Sequence, residues 1–319
     1  MYKLIRFYNQ NREKVFKIIL IIVFIIGIIQ LLNYFAKKNQ NSNNNIQKNN
    51  IITNSESKQE LVSNKSAISG ESVSETSLEK ATDVIAKFFK YCNEGNIESA
   101  YGILTEECKE VMFPTIKDFK NIYYLDNFNG ENKTYTVENW VGDIYQVKIT
   151  GDILSTGKLD DGKTKQDYMT VVKDDGDYKL NINSYVGRED VNKVTENKNI
   201  KITIQSIDTY MDYEIYNLSI QNNSENDILL DTSDDTKSVY LLDSKKMKYY
   251  FYSNEVIQSK LKVQSKYTNN LQIKFTNSYS SSRTIKNVVF SKMILNYDEY
   301  SNGQDKSQYN NFYEFKVNV

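Results

Sequence analysis

TSLEKATDVIAKFFKYCNEGNIESAYGIL, residues Thr76–Leu104, decides how the folded part of this chain begins. Apolar side chains recur at Ala81, Val84, Ile85, Phe88 and Cys92, the three-and-four spacing of one helix face. Thr76-Ser-Leu-Glu79 fits a capping box, in which the threonine hydroxyl takes an amide of the first turn and the glutamate returns to the cap. Gly95 supplies a left-handed residue to end that helix, and Asn96 can cap the next, whose stripe is Ile97, Ala100, Tyr101 and Leu104. After Pro114, Thr115 can cap a short third helix carrying Ile116, Phe119 and Ile122 or Tyr123.

Downstream the period changes to two. Tyr145, Val147 and Ile149 alternate with polar residues, then Tyr168, Thr170 and Val172, then Tyr178, Leu180 and Ile182. The turn signals Asp160-Asp161-Gly162 and Asp174-Asp175-Gly176-Asp177 separate them. Helices followed by antiparallel strands predict an α+β domain over residues 78–190. From about residue 195 the chain reads as strand after strand: Ile200–Ser206, Glu214–Asn222, Ser238–Asp243, Lys248–Ser253, Leu271–Thr276, Val288–Leu295 and Phe312–Val319. Short strands with polar turns predict an all-β sandwich over 195–319.

FFKYCNEGNIESAYGILTEECKE (Phe88–Glu110), FPTIKDF (Phe113–Phe119) and the ending DGDYKLNINSYVG (Asp175–Gly187) resemble an NTF2-like domain, a cone in which three helices back a bent sheet. YNLSIQNNSENDILLDTSD, VYLLDSKKMKYY and LQIKF resemble the immunoglobulin-like, telokin-like domains of Gram-positive membrane-anchored extracellular proteins. The layout is also similar to the NTF2-like assembly factors of conjugation and type IV secretion machines, although those repeat the NTF2-like module where this chain turns to a sandwich.

Upstream, residues 37–77 are rich in Asn and Ser without apolar periodicity, which predicts a disordered tether. Before them Ile18–Ala36, IILIIVFIIGIIQLLNYFA, carries no charge. As a helix it would be roughly 28 Å long, enough for a hydrocarbon core. Lys3, Arg6, Arg12, Lys14 and Lys17 precede it, against Lys37 and Lys38 after it. That asymmetry predicts residues 1–17 in the cytoplasm, a single-pass signal-anchor at 18–36 in the cell membrane, and the remainder outside the cell.

Composition narrows the chemistry. Net charge is −1 and no basic stripe follows residue 38, which argues against nucleic acid. The chain has no histidine, so Ser-His-Asp, Cys-His and histidine-zinc sites are excluded. Its two cysteines, Cys92 and Cys108, lack C-x-x-C spacing and read as separate small hydrophobes rather than a disulfide. The abundance of Asn, Ile, Lys and Tyr is what an AT-rich genome produces.

The resemblance to a cone implies a pocket, for which Asp118, Asp126 and Asp143 supply carboxylates, but no catalytic motif accompanies them. Asp227, Asp231, Asp234 and Asp235 are the weak metal candidates: carboxylates on a loop suit Ca2+, yet the spaced pattern of a calcium loop is missing and a solvated loop explains them. In Lys248–Tyr252, Tyr250 and Tyr252 share the strand face opposite Tyr249 and Phe251, a surface open to a partner protein or a glycan, with ordinary packing as the alternative. The sequence therefore reads as a non-catalytic, membrane-anchored assembly protein of the cell envelope that needs no cofactor and recognises protein partners. A small-ligand receptor or acid/base enzyme using the cone is the rival.

Overall fold

The computed structural model describes residues 60–61, 65–151, 164–232, 238–251, 261–279, 283–303 and 306–319. The first lobe holds β1 (Glu60–Leu61), α1 (Glu75–Asn93), α2 (Ile97–Gly102), α3 (Glu106–Met112), α4 (Ile116–Phe119), β2 (Lys133–Val141), β3 (Ile144–Gly151), β4 (Lys165–Asp174) and β5 (Asp177–Asn181). The second holds β6 (Tyr185–Asn197), β7 (Ile200–Tyr210), β8 (Tyr213–Asn222), β9 (Ile228–Leu229), β10 (Val239–Asp243) and β11 (Lys248–Tyr250). It ends with β12 (Lys262–Val263), β13 (Thr268–Thr276), β14 (Ile285–Met293), α5 (Tyr297–Asn302) and β15 (Tyr313–Asn318).

Local chemistry explains the helices. Ser74, not Thr76, caps α1, accepting from the Ser77 amide at 3.2 Å, so the helix starts earlier and puts Glu75 in its positive first turn. Gly95 ends it at φ +68°. Asn96 caps α2, and Thr115 with Asp118 forms a complete capping box on α4. From α4 the chain continues through a π-helical turn, Lys120–Tyr124, into the short helical piece Leu125–Asn127. That extra residue rotates Tyr123 and Tyr124 into the core, where both are buried.

The first sheet has the order β1-β2-β3-β4-β5. All its pairings are antiparallel except β1–β2. Its inner face, with Tyr135, Val137, Tyr145, Val147, Met169 and Leu180, packs on the apolar stripe of α1. In β4 the phase is opposite to the one expected. Asp167, Met169 and Val171 point inward, while Tyr168 packs on the outer face against Trp140, ring centroids 5.3 Å apart. A shift of one residue exchanges every side chain between faces.

Two four-stranded sheets, β13-β8-β7-β6 and β11-β10-β14-β15, enclose the second core. Ile200, Ile202, Ile204, Leu218, Ile220 and Ile273 from one meet Val239, Leu241, Val288, Phe290, Phe315 and Val317 from the other. The boundary placed between residues 190 and 195 falls inside β6, which pairs with β7 from Tyr185↔Tyr210 to Asn197↔Ile200. The β6–β7 turn has both central residues, Lys198 and Asn199, at positive φ, the geometry that suits a two-residue hairpin. β7 and β8 serve both cores: Tyr210, Tyr213 and Ile215 join the first, while Ile200–Ile204 and Tyr216–Ile220 join the second.

The expected fold class requires correction. An α+β cone, an all-β sandwich and a membrane helix were the three parts; the described chain is mainly β, its strands gathered into four sheets. Strand content rises because β6 runs unbroken through the expected boundary at 191–194 and β7 and β8 run on beyond the sandwich. Among the described residues no helix is long and apolar enough to cross a membrane. The longest, α1, shows Glu79, Lys80, Asp83, Lys87 and Lys90 on its outer face and covers a sheet instead of facing lipid. The single-pass membrane reading therefore finds no support here; its segment, Ile18–Ala36, lies outside the described residues, as do 1–17. The tether expected over 37–77 is corrected at its C-terminal end. Ala67 and Ile68 donate to Asn139 and Trp140 carbonyls at 3.0 and 3.4 Å, which ties that stretch to β2.

Candidate functional site

The polar chemistry of the first lobe converges where α4's π-helical extension meets β4. Asp167 is buried and its carboxylate accepts from the Tyr123 hydroxyl at 2.7 Å. It also accepts from the backbone N–H groups of Asn183 and Ser184 at 3.0 Å each. Those two residues have φ of +59° and +62°, an unusual consecutive left-handed pair that aims both amides at one anion. Burial raises the Asp167 carboxyl above its ordinary range, and the hydrogen bonds from Asn183, Tyr123 and Ser184 oppose that rise. A recess of about 200 Å³ opens onto the pair, lined by Tyr123 and Asp167 themselves together with Asp126, Lys165 and Asn183.

Inward of the pair the lobe is filled by rings. Tyr123 stacks on Phe119 at 5.9 Å, Phe89 on Tyr135 at 3.9 Å, and Phe88 lies 6.0 to 6.3 Å from Phe89, Tyr123 and Phe119. Cys92 and Cys108 are buried free thiols in this core; burial pushes both up, Cys108 to about 12, leaving little reactive thiolate.

The carboxylates expected to share a pocket are dispersed. Asp118 serves the Thr115 cap, with 2.7 Å between its carboxylate and the threonine hydroxyl. Asp126 is exposed and pairs with Lys165 at 2.6 Å. Asp143 is exposed at the turn between β2 and β3, lining a second recess of about 210 Å³.

The acidic loop of the second lobe shows a similar division. Asp227 pairs with Lys262 at 2.9 Å, and that hydrogen bond lowers its carboxyl below the ordinary range. Asp231 is buried and accepts from the Ser238 hydroxyl. Asp234 and Asp235 lie outside the described residues. No group of three or more Cys, Asp or Glu side chains converges among the described residues.

On β11, Tyr250 is 40% exposed and meets Tyr240 edge-on at 5.9 Å, with the Lys248 ammonium 4.2 Å from the Tyr240 ring. Tyr252 lies outside the described residues. Tyr249 faces the other way, its hydroxyl 3.1 Å from Asp243 and its ring under the Arg283 guanidinium.

Sequence reading missed three polar groups. Asp167 was hidden by the inverted phase of β4. The Arg188–Asp208 pair, with contacts of 2.8 and 3.2 Å, was hidden because the boundary expected between residues 190 and 195 put its two members in different domains. Arg188 also reaches Glu110 at 3.3 Å, and Asn217 donates to Asp208 at 2.7 Å, so one cluster ties α3 to β6, β7 and β8. Asn139, third, is buried on β2 with its Oδ1 lacking a hydrogen-bond partner. Only tertiary placement isolates it.

No family model and no curated protein matches the chain. Among solved structures it is similar to a functionally unknown protein from Listeria monocytogenes EGD-e, at 9% identity over 42% of this chain and 85% of the other, with a TM-score of 0.28.

Proposed function

We propose that the chain is a non-catalytic binding and assembly protein that recognises partner proteins through its surface. The observation that carries this reading is the ring-filled first lobe: where an enzyme or ligand receptor of this size needs an open apolar pocket, Phe88, Phe89, Phe119, Tyr123 and Tyr135 pack against one another. The dispersal of Asp118, Asp126 and Asp143 supports it as well. The partner-facing surface is the outer side of β10 and β11, where the exposed Tyr250 ring and the Lys248 ammonium sit against the buried Tyr240 ring, so that one exposed ring and one cation are presented together, a composition favoured in protein recognition.

The Asp167–Tyr123 pair is the observation that favours the rival enzyme. Against that rival, the carboxylate is buried and already accepts from three fixed donors, an arrangement that suits a brace better than a general base. The test is genetic complementation of a deletion strain. Asp118→Asn, Asp126→Asn and Asp143→Asn should restore the phenotype fully, while Tyr250→Ser combined with Lys248→Glu should fail and lose partner recovery after crosslinking. Loss of function in a folded single Asp→Asn variant that still recovers its partner would replace this reading with the enzyme.

A further inference from the structure

We infer that the outer face of the first sheet, around Trp140 and Tyr168, binds a neutral saccharide. Glu138, Gln146 and Tyr168 stand opposite one another across β2, β3 and β4, and Thr136, Lys148 and Gln166 form the next row. Partners directly across a ladder point to the same side, so these residues share one face, while α1 packs on the other. The Trp140 and Tyr168 rings are both half-buried and meet at 62°, centroids 5.3 Å apart, which leaves part of each ring open to solvent.

The pointer to a ligand is the polar rim of that ring pair. Gln146 and Gln166 both donate their side-chain amides to the Tyr168 hydroxyl, at 3.2 and 2.9 Å. Two donors take up both lone pairs of the phenol oxygen, so its own proton remains to be given to another group. Gln146 is only 8% exposed, and its bond to Tyr168 fixes the amide. Its Oε1 meets no donor among the described residues, yet unlike the Asn139 Oδ1 it is not sealed from solvent. The Trp140 indole N–H likewise has no acceptor among the described residues.

A ligand that suits this face supplies acceptors for the phenol and indole protons, a donor for the Gln146 oxygen and an apolar side for the rings. A sugar ring does all three. Each hydroxyl both donates and accepts, and one side of the ring is a sheet of C–H groups that packs on an aromatic. Trp140, Tyr168, Gln146 and Gln166 are uncharged, and Glu138 and Lys148 in the same rows offset each other, so nothing selects an ion. An extended peptide would add to an unpaired sheet edge, whereas β3 and β4 are paired on both sides. The site lies on the first lobe and does not rest on the β10–β11 partner surface.

The chain's single tryptophan lies in the site, so its fluorescence reports occupancy. Maltotetraose and the tetramer of N-acetylglucosamine, titrated separately into the purified full-length protein, should give with at least one a saturable shift of emission to shorter wavelength. Tyr168→Phe keeps the ring and removes the proton donor, and Gln146→Leu keeps the volume and removes the acceptor. Each should weaken binding about tenfold, the worth of one hydrogen bond. Gln166→Ala, at an exposed position that leaves the fold intact, should weaken it severalfold. Tyr250→Ser on β11 should bind as wild type. No saturable shift with either sugar, wild-type affinity in both Gln146→Leu and Gln166→Ala, or equal loss in Tyr250→Ser would overturn the proposal. The same saturable shift with tetraglycine would also overturn it, in favour of a peptide.

Discussion

The first core is packed with rings, Phe88, Phe89, Phe113, Phe119, Tyr123, Phe128 and Tyr135, whereas the second is packed mostly with branched aliphatics, chiefly Ile200, Ile202, Ile204, Leu218, Ile220 and Ile273. A ring core relies on few large side chains held at defined angles, and each phenol needs a polar partner. Tyr123 finds Asp167, Tyr101 finds the Phe113 carbonyl at 2.9 Å, and the Tyr135 hydroxyl finds none. An aliphatic sandwich has no such requirement and spreads its contacts over two sheets. The ring lobe should therefore be the more sensitive to single substitutions and the more dependent on buried polar groups.

Truncation is the sharpest way to break that contrast. Phe88→Ala removes a ring that touches three others and should cost about 4 kcal/mol in urea unfolding. Ile202→Val in the second core should cost about 1 kcal/mol. Costs in the reverse order would end the comparison. Next comes the tie between the lobes. Arg188→Met leaves Asp208, whose side chain is 3% exposed, without its bidentate partner and should cost about 3 kcal/mol. Calorimetry should then resolve two transitions in place of one, because the cluster linking α3 to β6–β8 is lost.

The smallest effect tests the polar side of the argument. Burial raises the Asp167 carboxyl, so the folded state holds that proton more tightly than the unfolded chain does. Its contribution is fully present below the unfolded value of about 4 and is lost as pH rises through the higher folded value. Subtracting the urea stability of Asp167→Asn from that of the wild type across this window should give a difference that falls with rising pH. The variant itself should lose about 1 kcal/mol, since one of its amide positions faces a backbone N–H it cannot accept. A difference that rises with pH would mean the hydrogen bonds outweigh burial and would make Asp167 a net stabiliser when ionised.

What could be seen in the sequence follows the strength of periodicity. Residues such as Ala81, Val84, Ile85 and Phe88, or Ile200, Ile202 and Ile204, carry their face in their spacing, and they are buried as that spacing says. β4 carries no such guide, because Tyr168 and Met169 are both plausible core residues; the choice fell on Trp140, whose ring on the outer face gave Tyr168 a partner there. β6 was invisible for a different reason. From Arg188 to Asn197 only Val191 and Val194 are apolar, and only Val191 packs on the second core while Val194 is exposed, so no alternating face marks the strand, which is held chiefly by its hydrogen bonds to β7. The polar sites were the least legible. Asp167 depends on two left-handed residues after β5, and Asn139 on a segment that composition alone marks as tether.

The double service of β7 and β8 also sets an order of events during synthesis. The first core takes Tyr210, Tyr213 and Ile215 from strands made well after β5, so a nascent chain that ends near residue 190 lacks one wall of its own interior. The N-terminal lobe must then wait, partly open, until the ribbon emerges, and by that point half of the second lobe's first sheet exists. Maturation of the two lobes is thereby scheduled by one hairpin, and a pause in translation before residue 216 would prolong exposure of the aromatic side chains where a pause after it would not.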